Sequence, residues 1–193
     1  MLRRTALALG MAAVLGLLGA PASTADVAPF PVLALPFEAG QQVYSAGIHS
    51  DDGGTGVKNA IDFSPADRTV RAPLAGTVHL QHCPGGDWVT VDHAGGWRTG
   101  YYHLEGIAVT DGEHVEAGTV LGSTGNALPC GGSSTGAHVH FTLWTVSGAA
   151  EPVDGKTIGG WRFTAGAEQY AGTATHLADN AVTQLPGRFR AKL

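Results

Sequence analysis

Short β-prone runs, each closed by glycine or proline, recur roughly every 8 to 12 residues through the middle of this chain, and that spacing most limits what it can fold into. The runs are Val70 to Ala72, Gly76 to Gln81, Asp87 to Asp92, Arg98 to His103, His114 to Val115, Val120 to Gly122 and Ala137 to Thr145. Turn signals separate them: Pro84-Gly85-Gly86, Ala94-Gly95-Gly96 and Thr110-Asp111-Gly112. No segment sustains a 3.6-residue apolar period, so almost no helix is expected. The reading is all-β: an antiparallel sandwich or barrel-like core. Glycine abounds (29 residues) while lysine is confined to Lys58, Lys156 and Lys192, which fits turn-rich β structure better than a helical bundle.

The ends read differently. Arg3 and Arg4, the apolar run Thr5 to Leu18 and the small residues Ala20 to Ala25 make residues 1–25 a secretory signal peptide, cleaved after Ala22 or Ala25. The run falls short of the roughly 20 apolar residues a membrane span needs, so no membrane insertion is expected after its removal. Residues 26–40, with Pro29, Pro31 and Pro36, read as an extended arm. Residues 41–193 form a single domain, with Trp161-Arg162-Phe163 as a late strand and Gln184 to Leu193 loosely ordered. A secreted, extracellular monomer is expected.

Without the leader, 9 basic side chains face 16 acidic ones, a net charge of −7. That argues against nucleic acid or an anionic surface as an electrostatically recruited partner. Two cysteines, Cys83 and Cys130, in an exported chain point to one disulfide closing a loop of about 47 residues, worth roughly 3–4 kcal/mol in the chain-entropy model. Two zinc-binding thiolates are the competing reading, but the close cysteine pairs usual for such sites are missing.

Of nine histidines, His79, His82, His93, His114 and His176 sit singly in turns or polar strand positions and read as solvated or locally hydrogen-bonded. His138 and His140 are different. They follow the glycine-rich stretch from Gly131 to Gly136 and alternate with Val139 and Phe141, so on a strand they share one face. His49 precedes a glycine loop, Asp62 lies in the strand after it, and His103 ends Tyr101-Tyr102-His103. A catalytic zinc site wants three protein ligands and one position for water. His49, Asp62 and one of the strand histidines supply such a set, leaving the other and His103 for proton transfer or oxyanion stabilisation. Spacing leaves open which of His138 and His140 is the ligand.

Three segments carry a family likeness: Gly47-Ile48-His49-Ser50 with Asp62 thirteen residues after the histidine, Gly96 to His103, and Cys130 to Phe141. Together they resemble the lysostaphin-type zinc metalloendopeptidases, peptidoglycan hydrolases, and within them the staphylolysin branch. The resemblance implies that His49, Asp62 and His140 bind one Zn2+ and that His103 and His138 are catalytic. It also implies that Cys83 pairs with Cys130. Gly160 through Tyr170 resembles the segment carrying an active-site tyrosine, so Tyr170 becomes an oxyanion donor, with a purely structural tyrosine as the alternative. The implied activity is hydrolysis of glycine-rich peptides or peptidoglycan cross-links through a zinc-activated water. A separate wall-targeting domain, a large propeptide and the branch's second disulfide are not expected here, and the acidic charge would not hold the protein on an anionic wall.

Two rival readings are weaker. A catalytically inactive scaffold or hydrolase activator of the same fold would not need all five polar positions. Ala72 to Val78 and Val115 to Gly122 resemble biotinyl and lipoyl carrier hairpins, but no lysine lies between Arg71 and Leu121 to carry the group.

Overall fold

A computed structural model describes residues 27–51 and 56–192; the leader read over 1–25 lies outside them. Fourteen strands run in chain order: β1 (Gln42–His49), β2 (Ala60–Pro65), β3 (Thr69–Arg71), β4 (Gly76–Cys83), β5 (Gly86–His93), β6 (Trp97–Tyr102), β7 (His114–Val115), β8 (Val120–Ser123), β9 (Val139–Thr145), β10 (Thr157–Ile158), β11 (Trp161–Ala165), β12 (Gly172–His176), β13 (Val182–Leu185) and β14 (Gly187–Arg190). Among the described residues there is no helix, hence none long and apolar enough to cross a membrane. The all-β antiparallel expectation holds: every strand ladder is antiparallel.

The main sheet has eight strands in the order β14-β1-β2-β9-β6-β5-β4-β7, beside a four-stranded sheet β10-β11-β12-β13 and the pair β3-β8. Alternation explains the main sheet's two faces. Ile61 and Phe63 of β2, Val89 and Val91 of β5, Tyr101 of β6 and Val139, Phe141 and Leu143 of β9 are buried on one face. Phe63 is the hub where the sheets meet, with ring centroids 5.2 Å from Phe37, 5.8 Å from Phe163 and 6.3 Å from Phe189.

Strand β1 changes face midway. Val43, Tyr44 and Ser45 pair with Pro65, Ser64 and Phe63, then the register slips so that Gly47, Ile48 and His49 pair with Asp62, Ile61 and Ala60. Ala46 is the extra residue of this β-bulge. Simple alternation from Val43 would carry His49 to the core face. The bulge flips the parity, so Ile48 enters the core and His49 joins Asp62 on the opposite face.

Two peripheral segments are tied in closely. The extended residues 27–40 bury Leu33, Leu35 and Phe37 in the same core cluster, and Ala34 donates its backbone N–H to Pro73 at 2.9 Å. The chain end, expected to be loosely ordered from Gln184, instead pairs with β1 from Gln42 opposite Arg190 to Ser45 opposite Gly187. Phe189 and Ala191 are buried there. An unpaired β1 edge would leave its ladder groups without partners, and the apolar alternation of the tail fits that role.

Behind the sheet, His93 donates Nδ1–H to the Ala75 carbonyl at 3.0 Å, and its Nε2 lies 2.8 Å from Thr99 Oγ1, which is 2.7 Å from the fully buried Tyr101 hydroxyl. Neutral His93 completes this chain, accepting from Thr99 while Thr99 accepts from Tyr101. A protonated His93 would donate to Thr99, and one hydroxyl hydrogen of the Thr99–Tyr101 pair would then have no acceptor in the chain. Burial, partly opposed by the Ala75 hydrogen bond and the Asp92 charge, holds His93 below the ordinary 6.5. The unfolded chain therefore takes up a proton near pH 6.5 that the folded chain refuses, so this contribution is present above that pH and lost as pH falls below it. Denaturant titrations at pH 7.5 and 5.5 should show a smaller loss of stability in acid for His93→Asn, which keeps a donor to Ala75, than for wild type. Equal losses would contradict the assignment.

Candidate metal centre and active-site cleft

The exposed face of β1, β2, β9 and β6 floors a cleft of about 920 Å3. Asp62 sits directly opposite His140 in the β2–β9 register, and His140 opposite Tyr102 in β6–β9. Gly47 faces Asp62 from β1, and His49, two residues on, shares that face. His49 Nε2 and His140 Nδ1 are each 3.1 Å from Asp62 Oδ1, and the ligand atoms of the three residues lie within 4.8 Å of one another. His138 Nε2 is 3.7 Å from Asp62 Oδ2, and the His103 and His138 rings are 4.5 Å apart. All five polar positions singled out in the sequence, with Tyr170, line the one cleft. The five isolated histidines line none of it; His79, His82 and His176 instead face Asp92, Asp87 and Asp179 at 3.3, 2.7 and 2.7 Å.

Backbone carbonyls fix three tautomers, because a carbonyl can only accept. Nδ1 of His49 faces the Ser50 carbonyl at 3.2 Å, that of His103 the Ala127 carbonyl at 2.8 Å and that of His138 the Gly136 carbonyl at 2.7 Å. Each Nδ1 therefore carries the hydrogen, and each neutral ring keeps its Nε2 lone pair. For His49 the consequence is sharp. It presents a lone pair, not a hydrogen, to a carboxylate oxygen 3.1 Å away. Two acceptors this close, in a site where both residues are buried, call for a cation between them. Burial alone would raise the Asp62 carboxyl, but the imidazoles beside it, His140 through a hydrogen bond to Oδ1 and then His49, hold it well below the usual carboxylate range. An ionised carboxylate and two imidazole lone pairs form a donor set of the kind that binds a divalent metal with a position left open.

The cleft walls are loops anchored to the sheet. The Cys83–Cys130 disulfide, with Cα atoms 5.1 Å apart, ties the end of β4 to the segment Cys130–Gly136. Cys130 N donates to the Tyr102 hydroxyl at 2.6 Å, and that hydroxyl donates to the Gly131 carbonyl at 3.0 Å. This wall offers mostly glycine, serine and alanine to the cleft. Opposite, Tyr170 stacks on His49 with ring centroids 4.3 Å apart. Tyr170 and His103 hold left-handed backbone conformations, φ 66° and 68°, uncommon for residues with a Cβ and persistent only where surroundings enforce them. Sequence reasoning missed Lys58, Gln169 and Tyr102, which position the cleft through partners far along the chain, and Trp88, which lines it. No local pattern marks any of them; only the rarity of lysine set Lys58 apart.

Comparison with known proteins agrees with this architecture. The family model for Peptidase family M23 matches residues 56–154, a segment that carries Asp62, His103, His138 and His140, with His49 and Tyr170 on either side. Protease LasA of Pseudomonas aeruginosa is 35% identical over 161 residues, 77% of this chain and 37% of LasA, so the chain spans little more than a third of that relative's length. Beta-lytic metalloendopeptidase of Lysobacter enzymogenes is 31% identical over 153 residues, 74% of this chain and 84% of that protein. The solved structure of the deep-sea M23 metalloprotease pseudoalterin superposes with a TM-score of 0.73 at 26% identity, covering 84% of this chain and 99% of that one. With half its length matched by the family model and a relative shared over most of both chains, the protein belongs to peptidase family M23.

Proposed function

We propose that this protein is a secreted zinc metalloendopeptidase that hydrolyses peptide bonds in glycine-rich peptides or peptidoglycan cross-links. One observation carries the reading: a His49–Asp62–His140 donor set, its first two members buried and the third half-buried, shares a cleft floor with two histidines whose Nε2 lone pairs are held free. His49 Nε2, Asp62 and His140 Nδ1 are the groups that would hold the metal. Bound zinc supplies a Lewis acid for the scissile carbonyl and a water with a pKa lowered to about 7.

The remaining steps fall to the chain's own side chains. His138 and His103 are the proton carriers, each with Nδ1–H spent on a backbone carbonyl and Nε2 open to accept a proton and later return it to the leaving amine. Burial outweighs the Ala127 hydrogen bond and pushes His103 below its ordinary 6.5, so it is neutral and able to accept at pH 7. Tyr170 is pushed above 10 by burial and then by Asp62, so it stays a phenol and can donate to a developing oxyanion. The wall from Gly131 to Ala137 accommodates a backbone lying close against it, which supports a substrate poor in side chains. An inactive scaffold would have no use for this convergence of lone pairs and a buried carboxylate.

The purified protein should cleave pentaglycine or peptidoglycan, lose that activity to a chelator and regain it with zinc. His140→Ala should fail to retain zinc. His103→Ala should retain zinc and lose about 10²–10⁴-fold in turnover. If both variants stayed as active as wild type, the site would be misassigned.

A further inference from the structure

Lys58, in the short connection between β1 and β2, spends its ammonium on the far side of the chain. Its Nζ donates to the carbonyls of Gly166, Ala167 and Glu168 at 2.7, 2.8 and 2.9 Å. An ammonium has three N–H groups, and all three are used on consecutive carbonyls of one loop. These belong to the turn between β11 and β12, closed at its base by Gly166 N donating to the Ala171 carbonyl at 2.8 Å. Three carbonyls converging on one point repel one another unless a cation sits among them.

The next residues of that loop reach the candidate metal centre. Gln169 grips Ser50, the neighbour of His49, twice: Ser50 N–H donates to Gln169 Oε1 and Gln169 Nε2 donates to Ser50 Oγ, both at 3.0 Å. Tyr170 N–H donates to the Ile48 carbonyl at 2.8 Å, and its ring stacks on His49. The Tyr170 carbonyl lies so close over Gly47 that any Cβ there would collide with it, which is why β1 carries glycine, at φ 112°, at this point. Tyr170 itself is held at φ 66°, a conformation its own chemistry does not favour. The turn is tied down at three points: the Lys58 ammonium on residues 166–168, the Gln169 amide on Ser50 and the Tyr170 N–H on Ile48.

We infer that Lys58 is a positioning residue for the reaction, acting through Tyr170: by gathering three carbonyls it shapes the loop that presents the Tyr170 hydroxyl to the cleft. The inference rests on the metallopeptidase reading and on Tyr170 as oxyanion donor. It assigns to the Lys58 ammonium a role in turnover, not in metal binding or in substrate contact, since Lys58 does not line the cleft.

The test compares wild type, Lys58→Met, Tyr170→Phe, the double variant, and Lys58→Cys before and after alkylation with 2-bromoethylamine, which rebuilds an ammonium of nearly the same length. Zinc content, kcat, KM and amide exchange over residues 166–171 are read for each. Lys58→Met is expected to bind zinc as wild type does, to lower kcat about as much as Tyr170→Phe, roughly 10²-fold, and to leave KM within about threefold. The double variant should be no more than about threefold worse than the poorer single one, whereas independent effects would multiply. Alkylation of Lys58→Cys should restore turnover, and exchange over 166–171 should speed up whenever the ammonium is missing. The inference is overturned if Lys58→Met keeps wild-type turnover, if the two losses multiply, if alkylation restores nothing, or if exchange is unchanged. Full activity in Tyr170→Phe would remove the tyrosine's role and this inference while leaving the peptidase reading intact. A wild-type protein that cleaves nothing would sink the peptidase reading instead, and the exchange measurement would still decide whether Lys58 shapes the loop.

Discussion

The cleft depends on one arrangement: a carboxylate, Asp62, buried between two imidazoles on adjacent strands. A lone buried carboxylate would take up a proton to escape its desolvation, and the fixed His49 lone pair facing this one offers it no hydrogen. The neighbouring imidazoles, His140 through a hydrogen bond and then His49, hold it ionised. The same arrangement explains why the site favours a divalent cation over a core of ordinary polar contacts. Its rigidity comes from the other face of the same strand, where Ile61 and Phe63 are locked into the aromatic cluster around Phe37, Phe163 and Phe189. The pleat thus sets the aromatic cluster and the polar cleft one residue apart along β2.

A division of labour follows. The three metal-ligand candidates stand on paired strands, where neighbouring ladders fix their positions. The groups assigned to proton handling and oxyanion donation stand at strand ends and on loops: His103 just past β6, His138 just before β9, Tyr170 between β11 and β12. Two of these segments are tied to groups elsewhere: the one before His138 by a disulfide and the Tyr102 hydroxyl, the Tyr170 loop by the Lys58 ammonium and by Gln169 bound to Ser50. Charge and covalent linkage do for the loops what ladder hydrogen bonds do for the strands.

How much of this the sequence discloses follows from the range of the forces involved. The strand character of residues 137–145 and the shared face of His138 and His140 are local, and the two-residue period reveals them. The face of His49 is not local. Counting alternate residues from Val43 puts it with the core, and the lone Gly47, a general bulge signal, does not by itself place the extra residue at Ala46. The bulge is set by β2 on one side and by the Tyr170 backbone pressing on Gly47 on the other. The order of the chain end was missed because its partner, β1, lies at the opposite end of the sequence. Lys58 escaped notice for the same reason, its three acceptors being 108 to 110 residues away. Family likeness supplied the candidate side chains and the Cys83–Cys130 pairing; it said nothing of the bulge in β1, the paired chain end or Lys58.

The central claim is that His49, Asp62 and His140 form one metal site. X-ray absorption at the zinc edge of the purified, zinc-loaded protein tests it most directly. The account predicts one zinc per chain, bound by two imidazole nitrogens and further oxygen ligands, with one imidazole lost in His140→Ala if any zinc remains. A first shell of three or more imidazoles, of thiolate sulfur, or of oxygen alone would contradict it.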